Sequence, residues 1–249
     1  MLIRSFEQSC PPRDLRPPEW DVTLVLCSLT RAPYEPLRES SDRDLTLKTV
    51  FLLALASAKR VSELHGLSSL VKHTRGWGSV CLEFVPEFVA KTQNPSVPDT
   101  RFESFSIPSL GDFVGFDADE LLLCPVRALR HYLKRTQRLR PGLRRLFTST
   151  GREKKEVSKN TISFWLREVI RKAYSSADSG PPPSRVRAHE VRGIAPSLAF
   201  KRNFSVQQVL RAGTWSCQTT FTSFYLRDIA HRSLDTFSLG PVVAAQQVV

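Results

Sequence analysis

Two arginines and a histidine stand in settings that suit binding of a phosphate group. Arg60 lies two residues after the apolar run 50–58 and precedes Glu63 by three residues, so we expect a rigid, buried support beneath it. His189 and Arg192 have i, i+3 spacing, which places both side chains on one face if the segment is helical. A guanidinium offers phosphate oxygens a planar fork, and an imidazole can transfer a proton near neutral pH.

Three further residues could take part in the same chemistry. Lys91 begins the turn-forming sequence Lys-Thr-Gln-Asn-Pro, Trp215 follows a predicted helix end, and Tyr225 lies in a helical pattern ten residues later. Lys72 is an alternative to Lys91, and we favour Lys91 because Pro95 indicates a turn beside it.

Each feature alone has a more ordinary interpretation, such as a surface ion pair, a core tryptophan or a packing tyrosine. In this order, however, R…K…H-x-x-R…G-x-W…Y resembles the tyrosine recombinase (phage-integrase) family. The resemblance spans about residues 20–232 and is carried by the segments 45–64, 187–193 and 212–228. It is closest to the recombinases encoded by animal retrotransposons of the DIRS and Ngaro type.

The resemblance implies a role for each residue. Tyr225 would attack a DNA phosphodiester and leave a 3′-phosphotyrosine and a free 5′-hydroxyl. Arg60 and Arg192 would hold the non-bridging phosphate oxygens. The other residues would assist: His189 in proton transfer and orientation, Lys91 by protonating the leaving 5′-oxygen, Trp215 by donating a hydrogen bond to the phosphate, and Glu63 by supporting the site.

Elementary chemistry agrees with these roles. Two guanidinium forks can stabilise the charge that gathers on phosphate oxygens in the transition state without a metal. A phenol with a pKa near 10 needs cationic neighbours to become a good nucleophile. The covalent intermediate conserves the bond energy, and the sequence has neither a G-x-x-x-x-G-K loop nor an acidic cluster with metal-ligand spacing. We therefore expect no metal and no small-molecule cofactor.

The charge distribution favours a nucleic-acid partner. The formal net charge is +12, and the segment 127–172 holds fifteen Lys and Arg against three Asp and Glu, so this basic block carries the whole excess. Interleaved leucines suggest that one side packs inward while the basic side faces a polyanion. An anionic membrane is the alternative, but no basic helix with exposed aromatic residues is evident. We expect double-stranded DNA as the partner and no membrane association.

Composition excludes several other classes. The chain is 41% hydrophobic and 24% charged, unlike collagen-like, coiled-coil or disulfide-scaffold proteins. Its five cysteines are scattered without a C-x-x-C pair, so we interpret them as reduced thiols. No apolar stretch approaches the ~20 residues of a membrane span, and no secretory signal is evident. We expect an intracellular protein, located in the nucleus because its substrate would be DNA.

The elements that must position these residues are mainly helical. The patterns predict a helix at Val22–Leu29 capped by Asp21, a buried helix over 45–56 capped by Asp44, and a short helical piece at 60–64. Alternation within 79–107 predicts a small antiparallel sheet, with Lys91 on or beside a hairpin. Further helices are predicted at 125–139, 158–176, 188–200, 205–212 and 218–230. The predicted class is α+β, mainly α-helical, and the resemblance implies the tyrosine recombinase catalytic-domain fold.

The domain organisation differs from that of the family. Members carry a helical core-binding domain before the catalytic domain, but here we expect residues 1–40 to be a tail with at most a remnant of it. Residues 41–235 would form the catalytic domain, and 236–249 a tail that is undocked or packs on a neighbouring subunit.

Two functions fit this organisation. One is a DNA strand-exchange enzyme for recombination or integration, derived from a transposable element and acting as a homotetramer on paired sites. The other is a domesticated or truncated DNA-binding protein without recombinase activity. An unrelated RNA- or protein-interaction module would require the ordered residues to be coincidence.

Overall fold

A computed structural model describes residues 19–91, 104–111, 118–175, 183–201 and 246–247. Along the described residues, three helices precede three strands, and four further helices precede a last short strand. They are α1 (Val22–Leu29), α2 (Asp42–Ser57), α3 (Val61–His65), β1 (Leu67–His73), β2 (Ser79–Phe84), β3 (Ser104–Pro108), α4 (Ala118–Leu122), α5 (Pro125–Thr136), α6 (Lys159–Ser175), α7 (Glu190–Lys201) and β4 (Gln246–Gln247), with 3₁₀ turns at Arg75–Trp77 and Gln137–Leu139. The predicted α+β class with one small antiparallel sheet is confirmed.

Helix α2 lies at the centre of the molecule. Every residue from Leu45 to Ser57 is buried, and the helix packs against α5, α6 and α7. Burial all round explains why its apolar residues show no amphipathic stripe. Lys48 is a charged residue on this buried helix. Its ammonium is fully buried, and it pairs with Glu35 and donates a hydrogen bond to the Leu29 carbonyl. The central helix therefore provides the rigid support expected beneath Arg60.

The N-terminus of α2 differs from the prediction. Ser41, not Asp44, is the N-cap, and its hydroxyl accepts a hydrogen bond from the Asp44 N–H at 3.0 Å. Asp44 instead accepts from the Ser41 hydroxyl at 2.6 Å, which forms a reciprocal pair across the first turn. Asp21, by contrast, caps α1 as predicted, accepting from the Thr23 N–H at 2.8 Å.

The sheet has the strand order β1-β2-β3-β4 with antiparallel neighbours. Val80 pairs with Ile107 and Leu82 with Phe105, and all four side chains are buried on the core face. Strand β1 was not predicted. The two residues of β4 pair with β3, so this part of the C-terminal segment, predicted to be undocked or packed elsewhere, adds an edge strand instead.

The segment before α2 belongs to the same hydrophobic core as the rest of the chain. Trp20, Leu26, Tyr34 and Leu37 are almost completely buried, and α1 packs on α6. Across the described ranges, no helix combines the length and apolar composition that crossing a membrane requires. The predicted helices at 205–212 and 218–230 lie outside the described residues.

Candidate active site

A sharp turn between α2 and α3 presents Arg60. Helix α2 ends at Ser57, and Ala58 adopts the left-handed conformation, with φ of 49°, which non-glycine residues rarely take. Arg60 is extended and is the N-cap of α3. The Glu63 carboxylate accepts a hydrogen bond from the Arg60 backbone N–H at 2.9 Å. Glu63 thus caps the N-terminus of α3 and also pairs with the Arg60 side chain.

Glu63 brings the two predicted arginines together. Its Oε1 lies 2.8 Å from Nη1 of Arg60, and its Oε2 lies 3.2 Å from Nη1 of Arg192. The same Arg192 nitrogen donates to the Ala58 carbonyl at 2.8 Å. The arginines therefore meet at one buried carboxylate instead of pointing to opposite surfaces. We call Lys59, Arg60, Glu63 and Arg192 the arginine cluster.

Lys59 is a member of this cluster that the sequence analysis missed. It is only 3% exposed, and its ammonium lies 4.6 Å from the centroid of the Phe105 ring. Burial lowers the pKa of Lys59 to about 8, against the opposing effect of Glu63 and with a further lowering by Arg192 and Arg60. The signal was its position: a charged residue at the end of an apolar run, beside Arg60.

The arginine cluster carries surplus positive charge. Three cations face one carboxylate, so the net charge is 3 − 1 = +2 when Lys59 is protonated. Burial favours a higher pKa for Glu63, but Arg192, Lys59 and Arg60 outweigh it and hold that pKa below its usual range. The side chain of Arg60 is 22% exposed and that of Arg192 2%, so the surplus charge meets solvent at Arg60. Such a centre attracts an oxyanion.

His189 and Arg192 do not share the helical setting predicted for them. Helix α7 begins at Glu190, so His189 lies in the preceding turn and is exposed, whereas Arg192 is buried. Glu190 fixes this turn because its Oε2 accepts from the indole N–H of Trp20 at 3.0 Å and from the Arg187 N–H at 3.2 Å. The histidine is therefore held at the solvent side of the helix that buries the arginine.

Lys91 and Lys72 lie in different settings. Lys91 is exposed, in a turn of the connection between β2 and β3, as predicted. Lys72 pairs with Glu83 across β1 and β2, and its side chain is 72% exposed, which is typical of a surface ion pair. The choice of Lys91 over Lys72 stays a prediction. Trp215 and Tyr225 lie outside the described residues.

The basic block is less uniform than the sequence suggested. Within the described part of the chain, seven of its fifteen cations form ion pairs: Arg127, Arg135, Arg144, Arg145, Lys154, Lys155 and Lys172. Most of their partners come from outside the block, including Glu35, Asp42, Asp44 and Glu87. Arg140 is buried and donates to the Leu146 carbonyl at 2.6 Å. Several cations of the block therefore bind acids from other parts of the chain and are less available to a polyanion than the sequence suggested.

Comparison with known proteins adds no assignment: no protein-family model matches the chain, and no curated protein matches it. The functional argument consequently depends on the residues and their geometry.

Proposed function

We propose that this protein cleaves and rejoins DNA strands through a 3′-phosphotyrosine intermediate, with the catalytic-domain fold of the tyrosine recombinases. The observation that carries the proposal is the meeting of Arg60 and Arg192 at Glu63. Residues far apart in sequence, selected by their types and order alone, lie within hydrogen-bond distance of one carboxylate. The surplus positive charge there suits a phosphodiester.

Each step of the reaction can be given to a side chain. Arg60 and Arg192 bind the non-bridging oxygens, and Glu63 fixes both guanidinium groups. The Tyr225 hydroxyl gives its proton to His189 as its oxygen attacks phosphorus, the bond to the 5′-oxygen breaks, and Lys91 gives that oxygen its proton. Trp215 donates a hydrogen bond to the phosphate, and reversal with another 5′-hydroxyl rejoins a strand and returns the proton to Tyr225. No net oxidation or hydrolysis occurs, so this sequence of steps requires no cofactor.

The other tyrosines support Tyr225 as the nucleophile. The chain has four tyrosines, and Tyr34, Tyr132 and Tyr174 are all buried in the core. Burial raises the pKa of Tyr34 and of Tyr132, which disfavours a phenolate at either position. Tyr174 accepts a hydrogen bond from the Asp21 N–H at 2.7 Å.

The test is covalent trapping on supercoiled plasmid. Wild-type protein is expected to give denaturant-resistant protein–DNA adducts and relaxed topoisomers, whereas Tyr225→Phe gives neither. Tyr174→Phe, which removes a core hydroxyl, is the matched control and should retain both products. Salt-dependent DNA binding by all three proteins without any adduct would contradict the proposal and favour the DNA-binding protein without recombinase activity.

The proposal extends to partners and location. Exchange between two duplexes requires a nucleophile for each of the four strands, so the active assembly would be a homotetramer on paired sites. A double-stranded DNA substrate places the protein in the nucleus, and its resemblance to retrotransposon recombinases suggests origin from a transposable element.

A further inference from the structure

A second positively charged site lies on the outer side of α5. It is a cavity of ≈ 540 Å³. We call it the α5 basic cavity, and its lining residues are Arg38, Arg130, His131, Lys134 and Arg135. Among the described residues, no acidic side chain contributes to this lining. It shares no residue with the arginine cluster.

Helix geometry concentrates the cations of this cavity. Arg130 and Lys134 are four residues apart on α5, and so are His131 and Arg135, so two adjacent rows of side chains point to the same side. Arg38 reaches the cavity from the segment between α1 and α2. Arg130 also stacks near Trp77, with its guanidinium carbon 5.7 Å from the ring centroid. The cavity is thus built from two parts of the chain.

Part of the lining is fixed by existing bonds. Arg135 donates to the carbonyls of Leu37, Arg38 and Ser40 at 2.5–2.8 Å, which makes it a rigid wall. Its nearest carboxylate, Asp42, lies 3.6 Å away at Oδ1. Because Asp42 also pairs with Lys154, it is shared between two cations. Asp42 therefore cannot neutralise the cavity, which keeps an excess of positive charge.

Three lining cations lack a balancing acid. Within the described part of the chain, no carboxylate lies within 4.0 Å of the charged nitrogens of Arg38, Arg130 or Lys134. Glu35, the acid that acts on His131 in this cavity, already forms ion pairs with Lys48 and Arg127. A concave surface with unbalanced like charges focuses the electrostatic potential and attracts a multivalent anion.

The pKa of His131 is lowered by burial and by the same positive surroundings. Partial burial lowers the pKa of this imidazole, and Arg127, Arg135 and Arg130 lower it further, with only Glu35 opposing them. A second proton on His131 would therefore add to an existing positive excess. A bound anion would relieve that excess.

We propose that the α5 basic cavity binds a ligand carrying two or more phosphate groups. Arginine forks match phosphate oxygens and the lysine ammonium adds a mobile point charge, whereas one carboxylate would leave most of the cations unmatched. The site goes beyond the proposed strand exchange and does not depend on it. Soluble polyphosphates and a nucleic-acid backbone share this chemistry.

The experiment measures binding of inorganic tripolyphosphate by calorimetry at fixed, low ionic strength. The variant is Arg130→Gln with Lys134→Gln, and the matched control is Arg171→Gln with Lys159→Gln, which removes the same charges from exposed positions of α6. We expect at least a tenfold weaker affinity in the cavity variant and less than a threefold change in the control. Thermal unfolding of each variant checks that the fold is retained.

A duplex oligonucleotide distinguishes the sources of phosphate. If tripolyphosphate displaces the duplex and the cavity variant also weakens duplex binding, the ligand is a nucleic-acid backbone; if only tripolyphosphate binding changes, it is a soluble polyphosphate. Equal losses in the cavity and control variants, or no tripolyphosphate binding by the wild type, would overturn the proposal. Since the measurement is of binding, an inactive recombinase would leave it interpretable.

Discussion

At the scale of single residues, Glu63 is the centre of the account. Its two oxygens contact Arg60, Arg192 and the N-terminus of α3, and it is 1% exposed. The sequence singled out both arginines and this acid because their types and order resemble those of the tyrosine recombinase family. The position of Lys59 at the end of an apolar run was a signal in the sequence, but its burial also depends on the left-handed turn at Ala58, which no local pattern predicts.

Glu63→Gln removes the charge that balances the arginines. Breaking a buried charge pair by removing one partner costs about 3–5 kcal/mol, so we expect a loss of that order in the free energy of unfolding. Urea titration measures it. Glu87→Gln is the control, since its carboxylate is 41% exposed and pairs with the exposed Arg144, and should cost less than about 1 kcal/mol. Equal effects would show that the arginine cluster is not a tightly coupled buried centre.

Lys59→Met tests the pKa of the buried ammonium. Between pH 8 and its ordinary value of 10.5, Lys59 is deprotonated in the folded state but protonated in the unfolded state. The unfolded state then binds more protons, so the free energy of unfolding rises with pH through this window. Burial also lowers the pKa of Lys48 to about 8, so the methionine variant should retain only the Lys48 part of this rise when urea titrations are repeated from pH 7 to 10.5. The exposed Lys155→Met should keep the whole rise, and an unchanged slope in Lys59→Met would contradict the assigned burial.

At the scale of elements, the sequence predicted helices better than their ends. The bounds of α1 agree with the prediction, whereas α2 begins earlier because the Ser41 hydroxyl competes with Asp44 for the cap. Strand β1 escaped prediction because its exposed Leu70 breaks the alternation that identifies a strand. His189 lies before α7 because Glu190 bonds the turn that precedes the helix. Local hydrogen bonds decide the differences at α2 and at His189, and the exposure of Leu70 decides the one at β1.

Ser41→Ala tests the cap of the central helix. Loss of an N-cap hydroxyl typically costs about 1 kcal/mol, and here it also removes the partner of the Asp44 carboxylate. We expect a lower denaturant midpoint with an unchanged slope in urea unfolding. Ser175→Ala, at the last residue of α6, serves as control because its hydroxyl bonds only a carbonyl of the same helix turn. A midpoint equal to that of the control would place the helix start elsewhere.

At the scale of the whole molecule, net charge is a poor guide to where a polyanion binds. The sequence located the excess in the basic block, but much of that block pairs with acids from other parts of the chain. Which cations remain unbalanced depends on long-range contacts between α2, α5 and α6, which no local pattern reveals. The open charge is found at Arg60 and, within the basic block, in the α5 basic cavity.

Lys154→Gln tests this division between structural and binding cations. Its side chain is 2% exposed and its ammonium lies 3.0 Å from Asp42, so it cannot contribute to phosphate contacts. The variant should unfold more easily yet keep the wild-type dependence of DNA affinity on salt, measured by fluorescence anisotropy between 50 and 200 mM salt. A slope shallower by about 0.9 would indicate a lost phosphate contact and contradict the assignment.

The most direct test of the central claim is to identify the amino acid that becomes linked to DNA. Protein trapped on plasmid would be digested with nuclease and protease, and the modified peptide sequenced by mass spectrometry. We expect a nucleotide linked through a 3′-phosphate to Tyr225, with the adduct reduced at least a hundredfold in Arg60→Gln. No adduct in the wild type, or linkage to any other residue, would contradict the account.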